Sequence, residues 1–205
     1  LFYGPPGTGK TLSATLVGAQ LGLDVYRIDL SSMVSKYIGE TEKNLANLFD
    51  QAQNKQWILF FDEADALFGT RSEGSSANDR HANQQIAYLL QRIEDFPGVV
   101  ILATNLRANI DEAFSRRFQS LVHFPMPDAE QRLLLWQKTL NGHHEVDDSN
   151  QLREIAQQYE LAGGAITNVV RYAAISALQV QSDVIRYKDI RVGINKELKK
   201  EGKTI

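Results

Sequence analysis

The octapeptide Gly4-Pro5-Pro6-Gly7-Thr8-Gly9-Lys10-Thr11 constrains the fold of this chain more than any other stretch. It fits the pattern G-x-x-x-x-G-K-[ST], entered from the apolar Leu1-Phe2-Tyr3 and left through a helix reaching about Leu21. Glycines let the backbone turn tightly and aim its N–H groups at an anion, so the segment reads as a phosphate-binding loop. Lys10 is placed to reach the β- and γ-phosphates of a nucleotide, and the Thr11 hydroxyl to ligate Mg²⁺. The helix beginning there turns the positive end of its dipole toward the same anion.

The segments beyond Leu21 fit a sheet built behind that loop. Asp24-Val25-Tyr26-Arg27-Ile28-Asp29-Leu30 reads as a short strand, and a Ser-rich connection runs from 31 to 40. Thr41 then caps a helix whose apolar face is Leu45, Leu48, Phe49 and Ala52. Trp57-Ile58-Leu59-Phe60-Phe61-Asp62 is a continuous apolar run ending in acid, the mark of a strand buried on both faces of a parallel sheet. After a polar loop at about 69–78, a helix at about 79–94 presents Ile86, Leu89, Leu90 and Ile93. Strands are expected at 99–103 and 121–124. Alternating strands and helices predict a parallel sheet wrapped by helices, with its ligand at the carboxyl ends of the strands.

Near Pro125-Met126-Pro127 the pattern changes. Asp128 caps a helix with Gln131 at the capping-box spacing, and only helices come after it. The clearest carries Ile166, Val169, Val170, Ala173, Ala174, Ala177 and Leu178, and the last begins near Tyr187. Residues 1–126 are therefore expected to form the α/β core and 127–205 a small helical bundle.

Charge and composition narrow the function classes. With 22 basic against 25 acidic residues there is no global pull toward nucleic acid or an anionic membrane. The absence of cysteine excludes a disulfide framework, Cys-ligated zinc and a thiol nucleophile. No apolar run reaches the length of a membrane span and no signal-peptide pattern is present, so a cytoplasmic location is expected. The chain starts without Met inside the strand of the phosphate loop, and is expected to be a fragment of something longer.

A second set of residues bears on chemistry. Asp62-Glu63, at a strand end, would let Asp62 hold Mg²⁺ and Glu63 orient and partly deprotonate a water attacking the γ-phosphorus. The tetrapeptide Asp62-Glu63-Ala64-Asp65 also occurs in a large helicase class, but a helical bundle comes next here rather than a second ATPase module. Asn105, after Ala103-Thr104, would set an amide beside the γ-phosphate; it is equally a common turn residue. Arg116-Arg117 read either as an ordinary helix end or as arginine fingers neutralising charge on phosphate. Of the four histidines, His143-His144 lie near Asp147-Asp148 without a zinc spacing, and His81 and His123 read as structural. Trp57 and Trp136 read as packing residues.

Taken in order, residues 4–11, residues 58–65, Ala103-Thr104-Asn105 and Asp111-Glu112-Ala113-Phe114-Ser115-Arg116-Arg117-Phe118 resemble the AAA clade of AAA+ ATPases. The adjacent arginines before Phe118 resemble the branch containing katanin and spastin. The wording around 77–90 and 103–118 is similar to stand-alone bacterial AAA ATPases, some encoded with contractile injection systems. The resemblance implies a P-loop NTPase three-layer sandwich with a mostly parallel sheet, its N-terminal part missing, and then a C-terminal helical lid.

It also implies roles. ATP and Mg²⁺ are the expected cofactors, with Gly4, Pro5, Pro6, Gly7, Thr8, Gly9, Lys10, Thr11 and Leu12 on the nucleotide. Gly164 and Ala165 are expected to approach the base, where many relatives carry a phosphate-sensing arginine instead. The adenine-contacting segment normally precedes the position of Leu1. Such proteins form homo-oligomeric rings, usually hexamers, so Arg116 and Arg117 would act on the neighbour's ATP. Lys36-Tyr37-Ile38-Gly39 matches the pore loop that grips an extended polypeptide, and 71–78 a second pore loop. Asp95-Phe96-Pro97 departs from the Asp-Gly-Phe intersubunit signal of some relatives. The expected activity is ATP-driven remodelling or unfolding of a protein substrate, with no nucleic-acid partner and no membrane segment. A nucleic-acid motor on the same core, or a module that assembles with ATP and scarcely cycles, are the alternatives.

Overall fold

The computed structural model describes residues 1–30, 40–67, 77–105, 115–140, 150–200 and 202. Five strands form one parallel sheet in the order β2-β3-β4-β1-β5. They are β1 (Phe2–Tyr3), β2 (Val25–Asp29), β3 (Ile58–Asp62), β4 (Val100–Thr104) and β5 (Val122–His123). Helices α1 (Lys10–Leu21), α2 (Glu40–Lys55) and α3 (Ala77–Asp95) lie between them in the chain, with a 3₁₀ turn at Ala64–Leu67. Then come α4 (Ala129–Leu140), α5 (Gln151–Gln158), α6 (Gly163–Gln179) and α7 (Tyr187–Lys200).

At β3 and β4 the sheet is buried on both faces, because alternate residues of these strands feed two separate cores. Leu59, Phe61 and Leu102 pack with Leu45, Phe49 and Ala52 of α2 and Leu89 and Leu90 of α3. Ile58, Phe60, Ile101 and Ala103 pack on the other side against Ala14 of α1. Four of the five β3 residues are buried and the fifth, Asp62, reaches the strand's open end. Helix α2 starts at Glu40, one residue ahead of the expected cap Thr41.

The chain forms two compact units, one of Leu1–Gly4 with Lys10–Phe124 and one of Pro5–Gly9 with Pro125–Ile205. The second unit has its own core, centred on Trp136, Leu152, Ile155, Ile166, Val169 and Ile190. Its first helix is locked by a reciprocal capping box: Gln131 N–H donates to Asp128 Oδ1 at 2.8 Å, and Asp128 N–H to Gln131 Oε1 at 3.1 Å. Arg132, buried in the same unit, donates to the carbonyls of Ala156 and Pro127 at 2.7 and 2.5 Å. The α6 stripe differs from expectation at its end, where Leu178 is 69% exposed while Ala173 and Ala177 are buried. Among the described residues, no helix is long and apolar enough to cross a membrane.

Candidate functional site

In the first unit, strand register gathers the polar residues at one rim. Tyr3 pairs with Thr104 and Asp29 with Asp62, and Phe61 pairs with Leu102, so β1 to β4 end within one residue of one another. Gly4 comes directly after β1 with φ of 145°, and its N–H donates to Thr104 O at 3.2 Å. A Cβ at this glycine would stand 2.1 Å from Phe124 O, so no other residue fits.

Lys10 opens α1 buried, its Nζ donating to Gly4 O at 2.7 Å. Burial draws its ammonium below the usual lysine range, and the charges of Asp62 and Asp65 pull in the opposite direction. The next residue, Thr11, has its Oγ1 3.4 Å from Asp62 Oδ2. A hydroxyl and a carboxylate brought together from helix α1 and strand β3 form an all-oxygen donor set suited to Mg²⁺. A positive group already occupies that carboxylate, because Arg27 Nη2 donates to Asp62 Oδ2 at 2.6 Å. The residues thus fit a divalent cation both in donor chemistry and in charge.

Glu63 turns sharply away from β3 with φ of 54°, the left-handed region that few non-glycine residues enter. Its N–H donates to Asp62 Oδ1 at 3.0 Å, and its side chain is exposed at the rim. Asp65, in the 3₁₀ turn beyond, reaches across to β4. It accepts the Thr104 hydroxyl and the Asn105 N–H, the latter at 3.0 Å, and Asn105 Nδ2 lies 3.4 Å from its other oxygen. Asn105 is therefore held by one carboxylate, through its backbone N–H and its side-chain amide, just past the strand end.

Lys10, Thr11, Asp62, Glu63 and Asn105, the residues singled out from the sequence, lie at this rim. Arg27, Asp65 and Thr104 belong to the same rim, though sequence alone assigns them no role. Asp65 was visible as the last acid of its tetrapeptide. Arg27 had only its alternation with Asp29 to mark it. Leu12, on α1, is 65% exposed.

In the second unit, Pro5–Gly9 packs on the start of α6. The Thr8 hydroxyl closes the loop onto Pro5 O at 2.8 Å, and Gly164 N–H donates to Gly7 O at 2.9 Å. A Cβ on Gly164 would lie 3.1 Å from Gly7 Cα, so a small residue is needed there, with Ala165 next to it in the helix. Of the arginine pair, both are exposed, and Arg117 Nη1 donates to Glu94 Oε1 at 2.8 Å. Residues 36–39, with Tyr37, and residues 71–76 lie outside the described residues.

A glycine loop between β1 and α1, in a parallel sheet ordered β2-β3-β4-β1-β5 with acids at the end of β3, defines a P-loop nucleotide-binding protein. Residues 1–126 match the family described as ATPase family associated with various cellular activities (AAA), and the chain belongs to it. It is 37% identical over 185 residues to ATPase family gene 2 protein of Schizosaccharomyces pombe, covering 87% of this chain and 23% of that protein. It is 31% identical over 204 residues to a proteasome-activating nucleotidase of Methanoculleus marisnigri, covering 96% of this chain and 49% of the relative. Among solved structures, the crystal structure of the FIGL-1 AAA domain in complex with ADP is similar, with a TM-score of 0.73 and 27% identity. That likeness covers 94% of this chain and 69% of the other. The fold is the AAA P-loop fold with its helical C-terminal part. The chain spans between about a quarter and a half of the length of these two curated relatives.

Proposed function

We propose that this chain is the ATP-hydrolysing portion of a homo-oligomeric ring, hexameric as in its family, that remodels or unfolds a polypeptide. The observation that carries the ATPase reading is the convergence of Thr11 Oγ1 and Asp62 Oδ2, 3.4 Å apart, beside Glu63 and the buried Lys10. ADP in the FIGL-1 neighbour supports an adenine nucleotide as ligand. The name of the nucleotidase relative supports a protein rather than a nucleic acid as the thing acted upon.

In this reading residues 4–12 cradle the phosphates and Lys10 offsets their charge. Thr11 and Asp62 would hold Mg²⁺, which would supply neutralisation of the phosphate charge. Glu63 orients a water and accepts its proton as the water oxygen bonds to the γ-phosphorus. The bond to the ADP oxygen breaks, and the proton passes on to phosphate. Asn105, fixed by Asp65, positions the same water or a γ-phosphate oxygen. Gly164 and Ala165 leave room for the base. Arg116 and Arg117 serve the adjoining subunit's nucleotide, and the loop of Lys36, Tyr37, Ile38 and Gly39 grips the polypeptide.

The test is Glu63→Gln in the full-length protein. Binding of ATP is expected to persist while turnover falls by about 10²- to 10⁴-fold, the range of a lost general base. Comparable turnover in variant and parent would remove Glu63 from the chemistry. Capture by the Gln variant in ATP, with identification of the retained polypeptide, tests the remodelling reading.

A further inference from the structure

Arg27 stands in the middle of β2 and is paired in register with Phe60 of β3. Neighbouring residues of parallel strands share a face, and side chains alternate along each strand. Arg27, Asp29, Phe60 and Asp62 therefore lie on one face of the sheet, the face whose core holds Phe60 and Ala14 of α1. Two acids, Asp29 and Asp62, meet side by side at the strand ends. Like charges so placed destabilise a sheet unless a cation answers them. Arg27 reaches along the strand direction to supply one, with its Nη2 2.6 Å from Asp62 Oδ2.

That oxygen is also the one nearest the Thr11 hydroxyl, at 3.4 Å. The guanidinium therefore occupies the carboxylate oxygen that a divalent cation shared by Thr11 and Asp62 would take. The two positions are not equally anchored. The Arg27 side chain is 61% exposed and that of Asp62 only 14%, so the acid is fixed and the arginine is an arm that solvent can receive.

We propose that Arg27 is a displaceable counter-ion, a positioning residue that neutralises Asp62 while the metal is away and yields its oxygen when the metal binds. The inference rests on the proposed ATPase reading and adds a competitor to its metal site. Metal binding then includes the breaking of an arginine–carboxylate pair, and the metal-free rim is spared the repulsion between Asp29 and Asp62. The class of ligand is a hard divalent cation, with nucleotide or without it.

The experiment is a titration of full-length protein with Mn²⁺, reading free ion by electron paramagnetic resonance, with and without saturating ADP. Arg27→Met keeps most of the stem and removes the charge; Arg27→Gln is the second variant, suited to a half-solvated position. Both are expected to bind Mn²⁺ about two- to fivefold more tightly than the parent, the span of a partly exposed ion pair. Both should also show a larger rise in thermal midpoint on adding Mn²⁺, because their metal-free form has lost its counter-ion. Unchanged or weaker Mn²⁺ binding in both variants, with Asp62→Asn abolishing binding, would overturn the displaceable arm and leave the ATPase reading standing. A parent that binds Mn²⁺ no better than Asp62→Asn would overturn both.

Discussion

Asp65 accepts the backbone N–H of Asn105 at 3.0 Å with the same oxygen that takes the Thr104 hydroxyl. One carboxylate in the turn after β3 thus fixes the end of β4, across 40 residues of chain. Thr104 is buried, and this carboxylate accepts its hydroxyl away from solvent. The consequence for Asn105 is a fixed position rather than the freedom of a loop residue.

Replacing Asp65 by Asn keeps the volume and removes the charge from that clamp. An amide oxygen still accepts one hydrogen bond, but no longer as a charge-assisted pair. Turnover is expected to fall by on the order of tenfold with ADP affinity within about twofold, since misplacement of a positioning group costs rate more than ground-state binding. Steady-state ATPase assays beside ADP titrations check this. Equal losses in both would make Asp65 a folding residue only.

Lys10 gives a pH prediction whose sign comes from its surroundings. Burial lowers its ammonium from the ordinary 10.5, partly countered by Asp62 and Asp65. A bound polyphosphate adds negative charge and raises it again. Affinity is then full while the free protein keeps Lys10 protonated, and declines as pH rises through the lowered free-state value toward the bound one. Fluorescent ADP titrations should show weakening before pH 10.5 is reached. Lys10→Arg, protonated throughout, is expected to flatten the profile whatever it does to absolute affinity. A parent whose affinity holds level up to 10.5 would contradict the assignment.

How much of the fold and site was readable from the sequence depended on distance along the chain. The capping box of Asp128 and Gln131 needs residues three apart, and both of its bonds are present. The apolar run of β3 told of burial on both faces because composition alone carries that signal. Arg27 on Asp62 was not legible, since it requires knowing that β2 lies beside β3 and in which register. Asp65 on Asn105 fails for the same reason, through the pairing of β3 with β4. Leu178 continued a helical stripe in sequence, yet the stripe runs past the edge of the core that α6 packs on, and tertiary context decides where burial stops. The packing of Pro5–Gly9 on the start of α6 likewise joins segments more than 150 residues apart.

Trp136 is fully buried in the helical unit, and its Nε1 has no hydrogen-bond partner among the described residues. Its ring fills the centre of a core shared by α4, α5, α6 and α7. Trp136→Ala is expected to destabilise this unit by about 3–5 kcal/mol, the range for emptying a large aromatic site. Trp136→Phe loses less volume and also removes an unsatisfied donor, whose desolvation alone costs about 1–3 kcal/mol. The Phe variant should therefore lie much nearer the parent than the Ala variant in urea unfolding. Equal losses for the two would mean that the indole N–H has an acceptor whose loss outweighs the ring volume that Phe retains.

Arg117 offers the most direct test of a shared nucleotide pocket. Its ion pair with Glu94 spans 2.8 Å between side chains 46% and 42% exposed, a setting in which such pairs contribute about 0–1 kcal/mol. The guanidinium can thus leave Glu94 at little cost and answer a stronger anion, such as a phosphate on an adjoining subunit. Glu94→Gln is accordingly expected to keep ATPase activity, and Arg117→Ala to change thermal stability by no more than about 1 kcal/mol. Turnover of Arg117→Ala should nevertheless fall by about 10³-fold or more, the effect of removing an arginine finger. Mixing decides between action in cis and in trans. When the Arg116/Arg117 double alanine variant is titrated into the parent, each parent subunit beside a variant loses its finger, so activity per parent subunit should drop with every addition. A level per-subunit rate across the titration would mean that each chain completes its own site.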